Sequence, residues 1–309
     1  MHLFGNNFLR ARCCHLHEVA ENIFSKMAAF GDFSVVSKDD PRETEKLLVK
    51  LISLGFQTFA VNQFFTLKKT NKSNKDINRQ YPKPKEWAQM PQLQALMKNN
   101  SKIQVLSRLT VVLEENSQMH QLASDAVQAF DILSVRPANE KQFFQCCSTL
   151  EIDIISLDMT IRTPFLVKHT QVNQAIERGV HFEIVYSPAI KDAIQRRHIF
   201  KNALQLVQVA RGRNIIVSSE GEAEMDFRGP YDIANLSLLF GLKENRAKDA
   251  ISKNVRAVVF HANARRGPGR AVVSGRSIQS LKQSVMCEDK RKADSIVSSQ
   301  PACKKMKII

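Results

Sequence analysis

The stretch GVHFEIVYSPAIKDAIQRRHIFKNALQLVQVARGRNIIVS runs from Gly179 to Ser218. Gly179 precedes a short apolar run, Phe182–Tyr186, which reads as a strand. A helix follows over Asp192–Arg211, with Phe200, Ala203, Leu204, Val207 and Ala210 forming an apolar stripe at a period of 3.6. Gly212 breaks it, and a second apolar run, Asn214–Ser218, reads as the next strand. Strand, long helix and strand in succession make one βαβ unit, whose strands lie parallel in a sheet covered by helices.

The same alternation continues outward. Strands are predicted at Met27–Val36, Gln57–Val61, Ile103–Leu113, Asp131–Val135, Ile152–Leu157 and, last, Val255–His261. Helices are predicted at Pro41–Leu54, Met90–Lys98, Met119–Ala129, Glu140–Thr149, Val167–Arg178, Pro230–Phe240 and Glu244–Ser252. Runs such as Ile215-Ile216-Val217 and Val258-Val259-Phe260 suit strands buried on both faces. About eight βα units fit an α/β class protein with a TIM-like (β/α) barrel. A doubly wound open sheet is the alternative, but it usually carries a Gly-rich phosphate turn, and none occurs here.

Three segments follow from composition. Residues 1–26 lack a clear period and are expected to be a disordered N-terminal extension, with Met27 as an alternative start. Residues 27–264 form the barrel domain. Residues 265–309 read as a basic disordered tail. Asn62–Trp87, rich in lysine, reads as a long basic loop.

Charge narrows the function. Lys plus Arg is 45 against 30 Asp plus Glu in 309 residues, a net charge of +15. Such a surplus repels itself in the compact state and favours a polyanionic partner, RNA or DNA first. No apolar run approaches the ~20 residues of a membrane span, so no membrane partner is expected. The six cysteines, at 13, 14, 146, 147, 287 and 303, include no C-x-x-C and read as free thiols.

Candidate sites are few. Loops that follow barrel strands gather on one face, where barrel sites are built. They carry Lys191, then Arg228 in Arg228-Gly229-Pro230-Tyr231-Asp232, beside Ser218-Ser219. Arg196 falls near the azimuth of Phe200, so it needs an anion, a carboxylate or carbonyls; Arg197 lies on the polar flank. Arg265 and Arg266 open the basic tail. These six are candidates for contacting RNA or a partner. Asp153, Asp158 and Glu183 fit either an acid/base pair or carboxylates paired with arginine. His261 ends the last predicted strand, but the first strand, Asp32-Phe33-Ser34-Val35, has no H-x-H; the one such pair is His15 and His17 in the extension. The ligand count falls short, so no metal and no cofactor are expected. Lys290-Arg291-Lys292 and Lys304-Lys305-Met306-Lys307 form two basic clusters spaced like a bipartite nuclear import signal.

Two longer motifs point further. Phe182–Asp192 followed by Arg196-Arg197, and Arg228–Leu236 continuing to Leu242, resemble the barrel-fold protein subunit of eukaryotic nuclear ribonuclease P and ribonuclease MRP. Ser107-Arg108-Leu109-Thr110 and Val255-Arg256-Ala257 match as well, and the similarity runs from about Met27 to Asn263 in the same order. That family is related to the polymerase-and-histidinol-phosphatase barrels but lacks their metal ligands. The resemblance implies a subunit that is not catalytic itself. It assembles with a catalytic RNA, a small α/β partner subunit and other protein subunits. The particle removes 5′ leaders from precursor tRNA, or cuts precursor rRNA, in the nucleus and nucleolus. The rival readings are a metal-dependent phosphoesterase on a related barrel and a generic basic RNA-binding protein.

Overall fold

The computed structural model describes residues 30–66, 81–84, 87, 90–100, 103–113, 119 and 122–267. Seven parallel strands stand in chain order: β1 Gly31–Val36, β2 Thr58–Thr66, β3 Gln104–Leu113, β4 Ile132–Pro137, β5 Ile154–Ser156, β6 His181–Val185 and β7 Ile215–Ser218. The intervening helices are α1 Pro41–Ser53, α2 Pro91–Asn99, α3 Asp125–Gln128, α4 Glu140–Ser148, α5 His169–Glu177, α6 Ser187–Lys191 and α7 Ala193–Ala210. After β7 come a single 3-10 turn, Glu224–Asp226, and α8 Pro230–Leu239, α9 Glu244–Ile251 and α10 Lys253–Arg266.

Local chemistry starts the helices where the sequence marks them. Asp40 and Asp192 accept from the backbone N–H groups of Arg42 and Ile194, both at 2.9 Å, and Asn139 accepts from Gln142. Pro41 and Pro230 occupy first turns, where a missing N–H costs nothing. The helix predicted over Met119–Ala129 shrinks to α3, and the Asn62–Trp87 loop loses its first residues to β2, which continues to Thr66. Of the remainder of that loop, residues 67–80, 85 and 86 lie outside the described residues.

The sheet curls into a nearly closed barrel. The gap between β1 and β7 is bridged by the chain that follows β7. Val36 donates to the Gly221 carbonyl at 3.1 Å, and Ser219 donates to the Asp32 carboxylate and to the Ser34 carbonyl.

The predicted eighth strand, Val255–His261, is instead part of α10. Its β-branched residues suggested a strand, yet the buried set, Val255, Val258, Val259 and Ala262, falls at i, i+3, i+4 and i+7. That stripe packs onto Phe33, Ala60, Leu106, Ile132, Ile154 and Ile216, supplied by six different strands. The helix therefore plugs the N-terminal end of the barrel where an eighth strand was expected. Gly31 permits the close approach: a Cβ there would lie 2.6 Å from Val255 Cγ1. Because α10 continues to Arg266, ordered helix crosses the boundary predicted at 264.

The stripe of α7 is also rotated from its prediction. Ile199, Asn202, Ala203, Leu206, Val207 and Ala210 are buried, while Leu204 is exposed. Asn202 is held inside by donating to the Met159 and Ile161 carbonyls, which moves the buried face towards it.

Candidate functional site

Barrel enzymes work at the C-terminal ends of their strands. Here the lumen is occupied by side chains that satisfy one another. Arg108, in mid-β3, is wholly buried. Its Nε donates to Thr110 Oγ1 at 3.2 Å. One terminal nitrogen donates to the Phe33 carbonyl at 2.8 Å and to Glu183 Oε1 at 2.5 Å. The other donates to Ser134 Oγ at 3.0 Å and Glu183 Oε2 at 2.6 Å. All five guanidinium protons are thus used. Burial alone would raise the Glu183 carboxyl, but Arg108, with hydrogen bonds from Ser156 and Ser218, holds it below its ordinary value. Glu183 is an ion-pair partner with no proton to give at neutral pH. Asn62 continues the network, accepting from Thr110 and donating to Ser34.

A second pair lies nearer the mouth. Arg136 of β4 reaches Glu220, beyond β7, at 3.1 and 3.3 Å, and its guanidinium lies 5.1 Å from the Phe64 ring centroid. Glu220 holds a left-handed backbone (φ 53°), and burial raises its carboxyl despite Arg136. Above these lies a cavity of about 360 Å³, lined in part by Asp158, Lys191, Gln195 and Glu222.

The two sequence motifs meet on this face. Tyr186 accepts a hydrogen bond from the backbone N–H of Arg228 at 3.2 Å, and Lys191 pairs with Asp226 at 2.8 Å. Burial acts to raise Asp226, but Lys191 and the N–H groups of Glu222 and Ala223 bring it below its ordinary value. Arg228 donates to the Met225 and Phe227 carbonyls at 2.7 and 2.9 Å. Arg196 turns back onto the Ala189 and Ile190 carbonyls at 2.6 and 3.2 Å. Arg197 is exposed and forms no ion pair or side-chain hydrogen bond with any described residue.

The other candidates lie elsewhere. Arg265, on α10, pairs with Asp153 at 3.1 Å and donates to Gln128 and to the Phe130 and Asp131 carbonyls. Its side chain is 3% exposed, so it anchors the plug helix rather than opening a tail. Arg266 pairs with Asp131 beside it. His261 also binds Asp153, at 2.7 Å, from a helix rather than from a strand end. Asp153, Asp158 and Glu183 do not converge: the first secures α10, the second accepts from Thr160, and the third pairs with Arg108. Among the described residues no group of three or more His, Cys, Asp or Glu is arranged to hold a metal ion. Lys290, Arg291, Lys292, Lys304, Lys305 and Lys307 lie outside the described residues.

Sequence reasoning did not assign roles to Arg108, Arg136 or Glu220. The signal for Arg108 was present: one cation inside the apolar strand Val105–Leu113 must find a buried partner.

The family model described as RNase P subunit p30 matches residues 29–267, the whole barrel. The mouse "Ribonuclease P protein subunit p30" is 37% identical over 243 residues, covering 78% of this chain and 88% of that protein. The Saccharomyces cerevisiae "Ribonuclease P/MRP protein subunit RPP1" is 26% identical, covering 71% and 72%. Among solved structures, a chain of archaeal ribonuclease P with mature tRNA superposes with a TM-score of 0.54 at 14% identity. It covers 75% of this chain and 91% of its own, and shows that the two share a fold.

Proposed function

The chain belongs to the RNase P subunit p30 family, and from that premise we propose that it is a non-catalytic protein subunit of ribonuclease P. The observation that carries this reading is the family match itself, which spans every strand and ends with the plug helix. The lumen supports it. Below the strand ends it holds an Arg–Glu pair whose donors are all engaged inside the protein.

In this reading the catalytic RNA performs the cleavage that removes 5′ leaders from precursor tRNA. The protein contributes phosphate neutralisation and a rigid platform for RNA, for a small α/β partner subunit and for other subunits. The name of the yeast relative extends the proposal to ribonuclease MRP and precursor rRNA. Nuclear and nucleolar residence follows from that particle, with the basic clusters at 290–292 and 304–307 as import signal.

Of the residues proposed to touch RNA or partner, Arg197 is the first candidate, because it forms no ion pair or side-chain hydrogen bond with any described residue. Lys191, Arg265 and Arg266 pair with carboxylates, while Arg196 and Arg228 donate to carbonyls and keep their charge. The helix that carries Arg197 has no acidic residue.

The test is to tag the full-length chain, purify it under native conditions and sequence the RNA that accompanies it. The expected RNA is that of ribonuclease P, with precursor-tRNA cleavage that is lost on ribonuclease treatment. Recovery of no defined RNA, or cleavage by the isolated chain, overturns the reading.

A further inference from the structure

The turn from α7 to β7, Arg211-Gly212-Arg213-Asn214, has an unusual backbone. Arg211 (φ 54°), Gly212 (φ 67°) and Asn214 (φ 48°) are all left-handed, a conformation uncommon outside glycine. Hydrogen bonds impose it. Arg211, Gly212 and Arg213 donate to the Gln208, Val207 and Ala210 carbonyls, and the Asn214 side chain donates to Val180. The turn is rigid and projects two arginines.

A third arginine joins them from another element. The position where a Cβ of Gly212 would stand is 3.7 Å from Arg246 Cγ, on α9. Arg246 lies in the first turn of α9, the end of the helix dipole that disfavours a cation, and Lys243 is the N-cap of that helix. The carboxylate of the same turn, Glu244, is engaged by Lys248 at 2.9 Å. Arg211 suits the C-terminal end of α7, but the dipole of α7 does nothing for Arg246. Among the described residues, none of Arg211, Arg213, Arg246 and Lys243 forms an ion pair. Arg213 is oriented by a neutral acceptor, Asn173 Oδ1 of α5, at 2.7 Å. Four cations on this turn and the start of α9, none of them paired with a carboxylate, leave positive charge for an anion to neutralise.

We propose that Arg211, Arg213 and Arg246, with Lys243 at their edge, form a phosphate-binding site for the RNA backbone. It lies at the N-terminal end of the barrel strands, opposite the face that carries Lys191 and Arg228. Three arginines favour phosphodiester oxygens, which their planar forks meet in bidentate fashion. The orienting bond to Asn173 spends one donor of Arg213 and leaves its charge unneutralised. The choice of RNA over an acidic protein segment rests on the subunit reading above.

The test uses the full-length chain and the RNA that copurifies with it. Affinity is measured from about 50 to about 200 mM salt for the wild type, an R211Q/R213Q/R246Q variant and the matching all-lysine variant. The Gln variant is expected to bind roughly tenfold or more weakly at the low-salt end. The slope of log K against log salt should fall by about 2, from ~0.7 per lost phosphate contact. The Lys variant keeps its charges and is expected to retain the slope, which keeps the test decisive even where the Gln variant folds poorly. Wild-type affinity and slope in a folded Gln variant overturn the proposal. So does loss of a protein subunit with RNA affinity unchanged, which assigns the cluster to an acidic protein. A wild-type chain that carries no defined RNA overturns the subunit reading, and this proposal with it.

Discussion

The lumen of the barrel and the turn between α7 and β7 both hold arginines, in opposite circumstances. Arg108 has five donors and five acceptors within 3.2 Å, all supplied by its own chain. Arg211, Arg213 and Arg246 share one neutral side-chain acceptor among them. A buried guanidinium must be satisfied before folding can finish, so the chain supplies every partner. An exposed one is hydrated while the protein is alone, so it can wait for a ligand. Residue type does not separate structural from binding arginines in this protein; the local supply of acceptors does.

Breaking the lumen should have the largest effect. Replacing Glu183 by Gln leaves Arg108 charged, buried and without its counter-ion, and is expected to cost about 3–5 kcal/mol in urea denaturation. An R108M/E183L double variant should recover most of that loss, because no charge is then stranded. A double variant as unstable as the single one would show that the pair's geometry, rather than its charge balance, holds the lumen.

The plug comes next. Val258 is fully buried against the strand ends. Val258→Ala removes two methyl groups and leaves a cavity, at a cost of about 2 kcal/mol. Truncation to Ala at an outward residue of α10, Asn263→Ala, should move stability by less than about 0.5 kcal/mol. Equal effects at both positions would contradict the plug.

Acid should act through His181 before it reaches Glu183. Burial lowers the His181 pKa to about 4. The unfolded chain then takes up a proton from about pH 6.5 downward while the folded one does not. Stability from this group is full above about pH 6.5 and falls towards pH 4, by up to roughly 1.4 kcal/mol per pH unit. Glu183, whose folded value is depressed, contributes stability that is present above about pH 4.3 and lost as pH falls through the folded value. Melting temperatures of wild type and His181→Gln between pH 7 and about 5 separate the two, because the variant should lose the first slope only.

Arg197→Ala should have the smallest effect on the fold, within about 0.5 kcal/mol. It should still lower the salt slope of RNA binding by about 0.7, if Arg197 meets one phosphate. A variant with wild-type slope would leave Arg197 a solvated charge.

Much of the architecture was legible in order and kind. Alternating apolar runs and long amphipathic segments are local patterns, and a parallel sheet buried on both faces demands them wherever it forms. The resemblance carried by Phe182–Asp192 and Arg228–Leu242 was legible too, since it needs only residue identity. The last element was misread because Val255–His261 meets two demands at once. It is β-branched like a strand, and apolar at i, i+3 and i+4 like a helix. Only the open end of a seven-stranded barrel decides between them, and no local window contains that information.

The candidate site was legible as a set of charges and not as a set of contacts. Lys191, Arg196 and Arg228 stood out because they flank strand ends, yet whether each is free depends on Asp226 and on carbonyls that the fold brings near. Arg108 meets Glu183 across 75 residues, and Arg265 meets Asp153 across 112. Sequence by itself determined the charge surplus, the order of the βα units and the family, because each is set by composition or by neighbours along the chain. Tertiary structure alone decided which charges are paired inside the protein and which are not, because ion pairing depends on distances of about 3 Å that close only when the barrel does.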